Sequence, residues 1–193
     1  MIELVQAARQ LQDFCTAQQW QSCFIGGFAV QRWGEPRFTS DIDLSLLTGF
    51  GKEEAFVDGL LARFRPRTEG QREFALRSRV LLLTADNEVP MDIALAALPF
   101  EEGVIARASP FEYERGGPAL TTCSAEDLII YKAFADRALD WHDVETILVR
   151  QGDKLDFAYI YRELAPLCAL KEAPEIVPRL QALGEKIAAE TTG

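Results

Sequence analysis

The stretch from residue 22 to residue 47 constrains this chain more than any other. A short apolar run, Ser22 to Ile25, ends at Gly26-Gly27. A short helical segment, 28 to 33, is stopped by Gly34 and Pro36, and Asp41-Ile42-Asp43 opens a second apolar run to Leu47. The pattern predicts strand, glycine junction, helix, strand. On a strand, residues i and i+2 point to one face, so Asp41 and Asp43 project together, about 6–7 Å apart at Cα, with Ile42 turned to the core. Two carboxylates that close repel unless a cation joins them. Mg²⁺ is a hard ion that takes one or two carboxylates and completes its shell with water and substrate phosphate. An isolated Asp-x-Asp pair also occurs as a solvated strand end, so its surroundings decide.

Two neighbours favour the ion. Gly26 and Gly27 stand where a strand meets a helix, where glycine lets a phosphate approach the backbone and helix amides favour an anion; a plain tight turn uses the same residues. Asp92 is a lone acid in the apolar run Val89-Pro90-Met91-Asp92-Ile93-Ala94. Charge there is costly without a partner, and a neighbouring strand brings it beside Asp41 and Asp43; the alternative is an exposed edge-strand acid.

The rest of the chain supplies helices and a hairpin. Helices are expected over 2–19, 52–64, 101–108, 128–139, 141–149 and 155–164, the last followed by a C-terminal helix punctuated by Pro174 and Pro178. Strands are expected over 74–84 and 89–94, joined by the Asp86-Asn87 turn as an antiparallel hairpin. Ser124 with acids behind it predicts an N-cap. Gly116-Gly117-Pro118 breaks the pattern and is the expected boundary. The fold class is therefore α+β, with a small mixed sheet and packed helices over 1–116 and an α-helical lobe over 117–193.

Composition removes several chemistries. His142 is the single histidine, which argues against a zinc centre and against a Ser-His-Asp triad. Cys15, Cys23, Cys123 and Cys168 show no Cys-x-x-Cys spacing and are expected as buried thiols. No apolar run is long enough to span a bilayer, and Met1-Ile2-Glu3-Leu4-Val5 lacks a signal-peptide pattern, so no membrane partner and a cytoplasmic location are expected. A net charge of −10 disfavours non-specific coating of nucleic acid. Against that charge, Arg63, Arg65, Arg67, Arg72, Arg77 and Arg79 form a basic run that either binds triphosphate or RNA backbone or is offset by surface acids.

The ordered set Gly26-Gly27, short helix, Arg37-x-Thr39-x-Asp41-x-Asp43 and a later strand with Asp92 resembles the polymerase-β-like nucleotidyltransferase superfamily. The second half narrows this. Asp127-Leu128, Lys132, Ala135, Arg137 and Asp143 together resemble the AbiEii-type abortive-infection nucleotidyltransferases, toxins of two-component toxin–antitoxin systems. The resemblance implies Mg²⁺ (or Mn²⁺) at a two-metal site held by Asp41, Asp43 and Asp92, with Asp92 also helping to deprotonate the attacking hydroxyl. It implies Gly26 and Gly27 cradling the phosphates of a nucleoside triphosphate such as ATP, Arg37 neutralising phosphate charge, Thr39 orienting the loop and Lys132 contacting the nucleotide. Asp143 either orients Lys132 or caps its helix; Arg137 is a structural or phosphate-side cation and Asp127 serves the helix N-terminus. The implied activity is transfer of a nucleoside monophosphate to RNA, at the tRNA 3′ end, by the toxin of a pair whose antitoxin is a further partner. Two enzymatic alternatives keep the site and change the acceptor, to an aminoglycoside- or lincosamide-like small molecule or to a protein hydroxyl. A third is a non-catalytic nucleotide- or partner-binding member.

Overall fold

The computed structural model describes residues 2–192. In chain order it forms α1 (Ile2–Ala17), β1 (Ser22–Ile25), α2 (Gly26–Trp33), β2 (Ile42–Leu47), α3 (Glu53–Arg63), β3 (Arg65–Pro66), α4 (Gln71–Ser78), β4 (Val80–Thr84), β5 (Pro90–Ala96), α5 (Pro99–Arg107), β6 (Ser109–Glu112) and β7 (Ala119–Thr122). There follow α6 (Ala125–Ala135), α7 (Ala138–Gln151), α8 (Phe157–Leu170) and α9 (Ile176–Thr192). The residues divide into two compact units. One comprises the chain up to Ala29 together with Phe38–Cys123; the other comprises Val30–Arg37 and the chain from Ser124 onward.

In the first unit the described strands form one mixed sheet in the order β3-β4-β5-β2-β1-β7-β6. β2 and β5 run parallel, as do β1 and β7, and the other pairs are antiparallel. Period-two alternation sorts the faces. Phe24, Ile42, Leu44, Leu46, Leu81, Leu83, Met91, Ile93 and Leu95 are buried with Leu4 and Leu11 of α1 and Val57 and Leu60 of α3. Each such side chain contributes about 1.5–3 kcal/mol by leaving water. The opposite face of the same strands therefore presents Asp43, Ser45, Asp92 and Ala94.

The helix expected over 128–139 ends at Ala135, where Asp136 is left-handed at φ 59°, and α7 starts at Ala138; two further stretches depart more from the sequence expectation. Residues 74–84 are not one strand: Phe74 to Ser78 complete α4, and only Val80–Thr84 is extended. Gly70, at φ 70°, starts this helix and Arg79, at φ 58°, ends it. Left-handed backbone is uncommon for arginine; here the guanidinium donates to Leu95 O at 2.9 Å, Gly49 O at 3.1 Å and Thr48 Oγ1 at 3.2 Å, which holds it. Gln71 couples helix to sheet by accepting from the Leu82 N–H at 3.1 Å. The second departure is the antiparallel pair β6–β7, which the sequence reading did not anticipate. The Gly116-Gly117-Pro118 break lies between these strands, with Gly116 at φ 73°. The β4–β5 hairpin forms as expected, and Pro90 starts its strand opposite Thr84.

The second unit is helical. Ser124 caps α6, its Oγ accepting from the Asp127 N–H at 3.1 Å. Asp127 in turn accepts from Ser124 Oγ at 2.8 Å and from the Tyr159 hydroxyl at 2.6 Å, so it joins α6 to α8. The 30–37 segment is fastened to α7. Gln151 Nε2 donates to Trp33 O at 2.7 Å, Arg150 donates to Gly34 O, and a Cβ on Gly34 would meet Thr146 Oγ1 at 2.7 Å. Glycine at 34 is what permits that approach.

Candidate active site

In the sheet unit, the parallel register pairs Asp43 of β2 with Asp92 of β5 and the antiparallel register pairs Asp43 with Ile25 of β1. Neighbouring strands lie about 4.8 Å apart, and register partners share a face. Asp43 and Asp92 thus project side by side, both partly exposed. Asp41 immediately precedes β2, and its Oδ1 accepts from Thr39 Oγ1 at 2.9 Å.

Gly26 follows Ile25 directly and has φ 63°. The Asp43 carboxylate rests against its bare Cα: a Cβ there would fall 1.9 Å from Asp43 Oδ2 and 2.4 Å from Cγ. The two glycines of the sequence motif open α2, and the first is required by the space Asp43 occupies.

Among the described residues, no three acidic, histidine or thiol groups close around one point at ion-binding distance. The carboxylates instead face protein donors, Asp41 toward Thr39 and Asp92 toward Arg67. The donor set still fits a hard divalent ion. It consists of carboxylate oxygens on adjacent strands, one of them seated against the bare Cα of Gly26.

In the helical unit a second cluster is assembled. Lys132 of α6 is buried, and its Nζ lies 3.0 Å from Asp140 Oδ1 and 2.8 Å from Asp143 Oδ2, both on α7. Arg37 donates to Asp143 through Nε at 2.6 Å and Nη2 at 2.8 Å. Arg137 donates to Asp140 through Nε at 2.5 Å and Nη2 at 3.2 Å. Lys132 therefore sits on an apolar helix face by finding two anions. Asp143 holds Lys132 and Arg37 together, and Arg37 is engaged with Asp143. Asp140 was missed by the sequence reading, although its i,i+3 spacing from Asp143 put both acids on one face of α7.

Burial alone raises the pKa of Asp140 and of Asp143. Arg137 and Lys132 outweigh it at Asp140, and Arg37 and Lys132 outweigh it at Asp143, leaving both below the usual carboxylate range. A carboxylate whose folded pKa is depressed stabilises fully above its unfolded pKa, about 3.9, and that stability is lost as pH falls through the folded value. Thermal melts followed by circular dichroism should thus show little change from this cluster between pH 7 and 5 and a decline below about pH 4. Asp140→Asn should make the acid-side decline shallower.

Five of the six arginines of the run are offset by acids. Arg63 pairs with Asp86, Arg65 with Glu88, Arg67 with Asp92, Arg72 with Glu54 and Asp58, and Arg79 with Glu53. All four cysteines are buried, and burial pushes the Cys15 thiol up to about 11. No described helix is long and apolar enough to cross a membrane.

Solved structures share this fold. A crystal structure of an antigenic nucleotidyltransferase-like protein from Paracoccidioides brasiliensis matches with TM-score 0.53 at 15% identity, covering 94% of each chain. The lincosamide antibiotic adenylyltransferase LnuA, lincomycin-bound, matches with TM-score 0.51 at 14% identity, covering 74% of this chain and 94% of its own. A search of curated proteins finds no match. A mixed sheet of this topology with packed helices is a nucleotidyltransferase fold. The family model for the AbiEii nucleotidyl transferase toxin of type IV toxin–antitoxin systems matches residues 11–188, and the chain belongs to that family. It is accordingly a nucleotidyltransferase.

Proposed function

We propose that this enzyme transfers a nucleoside monophosphate from a nucleoside triphosphate to the 3′ end of tRNA, acting as the toxin of a pair with a cognate antitoxin. The observation that carries the reading is the register of Asp43 with Asp92, with the Asp43 carboxylate seated against Gly26. The acceptor hydroxyl oxygen forms a bond to the α-phosphorus, the bond from that phosphorus to the bridging oxygen breaks in line, and pyrophosphate leaves. Asp92 takes the hydroxyl proton. Asp41, Asp43 and Asp92 would hold Mg²⁺, or Mn²⁺, which supplies charge stabilisation of the attacking and leaving oxygens when bound. Thr39 fixes the Asp41 carboxylate. Gly26 and Gly27, at the start of α2, offer backbone N–H groups to phosphate oxygens. Lys132 is the nucleotide-contacting cation, held in place by Asp140 and Asp143, and Arg37 serves chiefly to hold Asp143.

One observation favours a second reading. Five of the six arginines of the 63–79 run are paired with acids, which leaves less basic surface for RNA than the sequence offered, and an acidic protein suits a cationic small-molecule acceptor. Both readings meet one assay. Each α-labelled triphosphate is incubated with Mg²⁺ and, in parallel, total tRNA, bulk protein, a lincosamide and an aminoglycoside. Label is expected on tRNA, and its transfer should be abolished by Asp43→Ala or by a chelator. Label on a drug or on protein would transfer the reading to that acceptor. Label on none would leave a nucleotide- or partner-binding protein.

A further inference from the structure

Arg67 stands at one end of a row of residues that crosses the acid-bearing face. It follows β3, and its backbone N–H donates to Leu82 O at 3.0 Å. Leu82 is the register partner of Asp92, and Asp92 of Asp43. Arg67, just past β3, and Leu82, Asp92 and Asp43, on β4, β5 and β2, therefore form one row across the sheet. Arg67 begins about 10 Å from Asp92, two strand spacings away. Only a long side chain covers that distance, and the guanidinium does so, with Nη2 pairing with Asp92 Oδ1 and lying 3.5 Å from Leu83 O. About a third of each side chain is exposed, 34% for Arg67 and 32% for Asp92, so solvent screens the pair and an incoming ion can reach it.

We propose that Arg67 is a built-in competitor for divalent metal at Asp92, a latch that holds the third carboxylate until metal and nucleotide displace it. This rests on the metal-dependent reading above. The guanidinium occupies one of the two Asp92 oxygens, and its positive charge repels a divalent ion that approaches the same carboxylate. Metal entry therefore works against the Arg67–Asp92 pair, and the free energy of weakening it is subtracted from the affinity. The other arginines of the run differ here: Arg65, two residues earlier, pairs with Glu88, outside the acid trio. Arg67 is a positioning residue in this role, because it acts on the reaction through Asp92.

The test is Mn²⁺ binding, followed by electron paramagnetic resonance of the free ion, with wild type, Arg67→Gln, Arg65→Gln and Asp92→Asn. Arg67→Gln should tighten Mn²⁺ binding about three- to fivefold, the scale of a partly exposed ion pair. Arg65→Gln, which removes the same charge, should change it by less than about twofold. The Arg67 effect should vanish in the Asp92→Asn background, as a double-mutant cycle requires of a direct coupling. Arg67→Lys keeps the charge but lacks the fork and should give an intermediate gain; it also serves should Arg67→Gln fail to fold. Equal effects of Arg67→Gln and Arg65→Gln would overturn the latch, because net charge alone would then explain them. Weaker binding in Arg67→Gln would overturn it as well, making Arg67 a support of the site. Absence of any Asp43-dependent Mn²⁺ binding in wild type would remove the metal reading and the latch together.

Discussion

Gly26→Ala should reduce nucleotidyl transfer by about a hundredfold or more while leaving a folded protein. Two effects combine at this position. Left-handed backbone costs an L-residue about 1–2 kcal/mol, and Gly26 has φ 63°. Larger in consequence is the clash, because the new Cβ would lie 1.9 Å from Asp43 Oδ2 and 2.7 Å from Asp43 Cβ. Turning the carboxylate relieves the first contact but not the second, so the acid or the strand beneath it must shift. A displacement of about 1 Å in a reacting constellation costs on the order of 10²-fold. Gly116→Ala is the control. That residue also has positive φ, at 73°, but nothing lies within 4 Å of its added Cβ. It should lose only the stability that the backbone conformation costs and keep full transfer. Initial rates and thermal melts of both variants make the comparison, and equal losses of transfer would mean that the Gly26–Asp43 contact has no catalytic consequence.

Asp143→Ala should be the most destabilising substitution in the helical unit, by about 3–5 kcal/mol, the usual consequence of removing one partner of a buried ionic group. It strips Lys132 of one of its two anions and Arg37 of its bidentate partner at once. For a chain of this size that corresponds to a fall in Tm of roughly 6–20 °C. Lys132→Met separates structure from function. Without the ammonium, Asp140 retains Arg137 and Asp143 retains Arg37, so the stability loss should be about 1–2 kcal/mol. Transfer should nevertheless fall by at least a hundredfold if Lys132 contacts the nucleotide. A Lys132→Met enzyme with near-normal transfer would reduce the cluster to a structural role.

Much of the sheet unit was legible because its signals are local. Ser22 to Ile25, the two glycines and Asp41-Ile42-Asp43 each carry their meaning within a few residues, and Asp92 declared itself as a charge in an apolar strand. The partner of Asp92 was not legible. Arg67 reaches it through a register between non-adjacent segments, and an arginine run in sequence does not reveal which acid each member faces. Residues 74–84 misled because the apolar Val80-Leu81-Leu82-Leu83 drew the reading of its neighbours toward strand, whereas Gly70 and the Arg79 anchor set a helix before it. β6 and β7 are four residues each, too short for periodicity to register. In the helical unit Lys132 was legible as a cation on an apolar face. That it needs two carboxylates depends on how α6 and α7 pack, which spacing does not state.

The most direct measurement is anomalous X-ray scattering from crystals soaked with Mn²⁺ and a non-hydrolysable nucleoside triphosphate. The account predicts manganese bound by carboxylate oxygens of both Asp43 and Asp92, at about 2.0–2.2 Å, with the triphosphate beside Gly26. Manganese bound elsewhere, with Asp43 and Asp92 contacting neither ion nor phosphate, would contradict it.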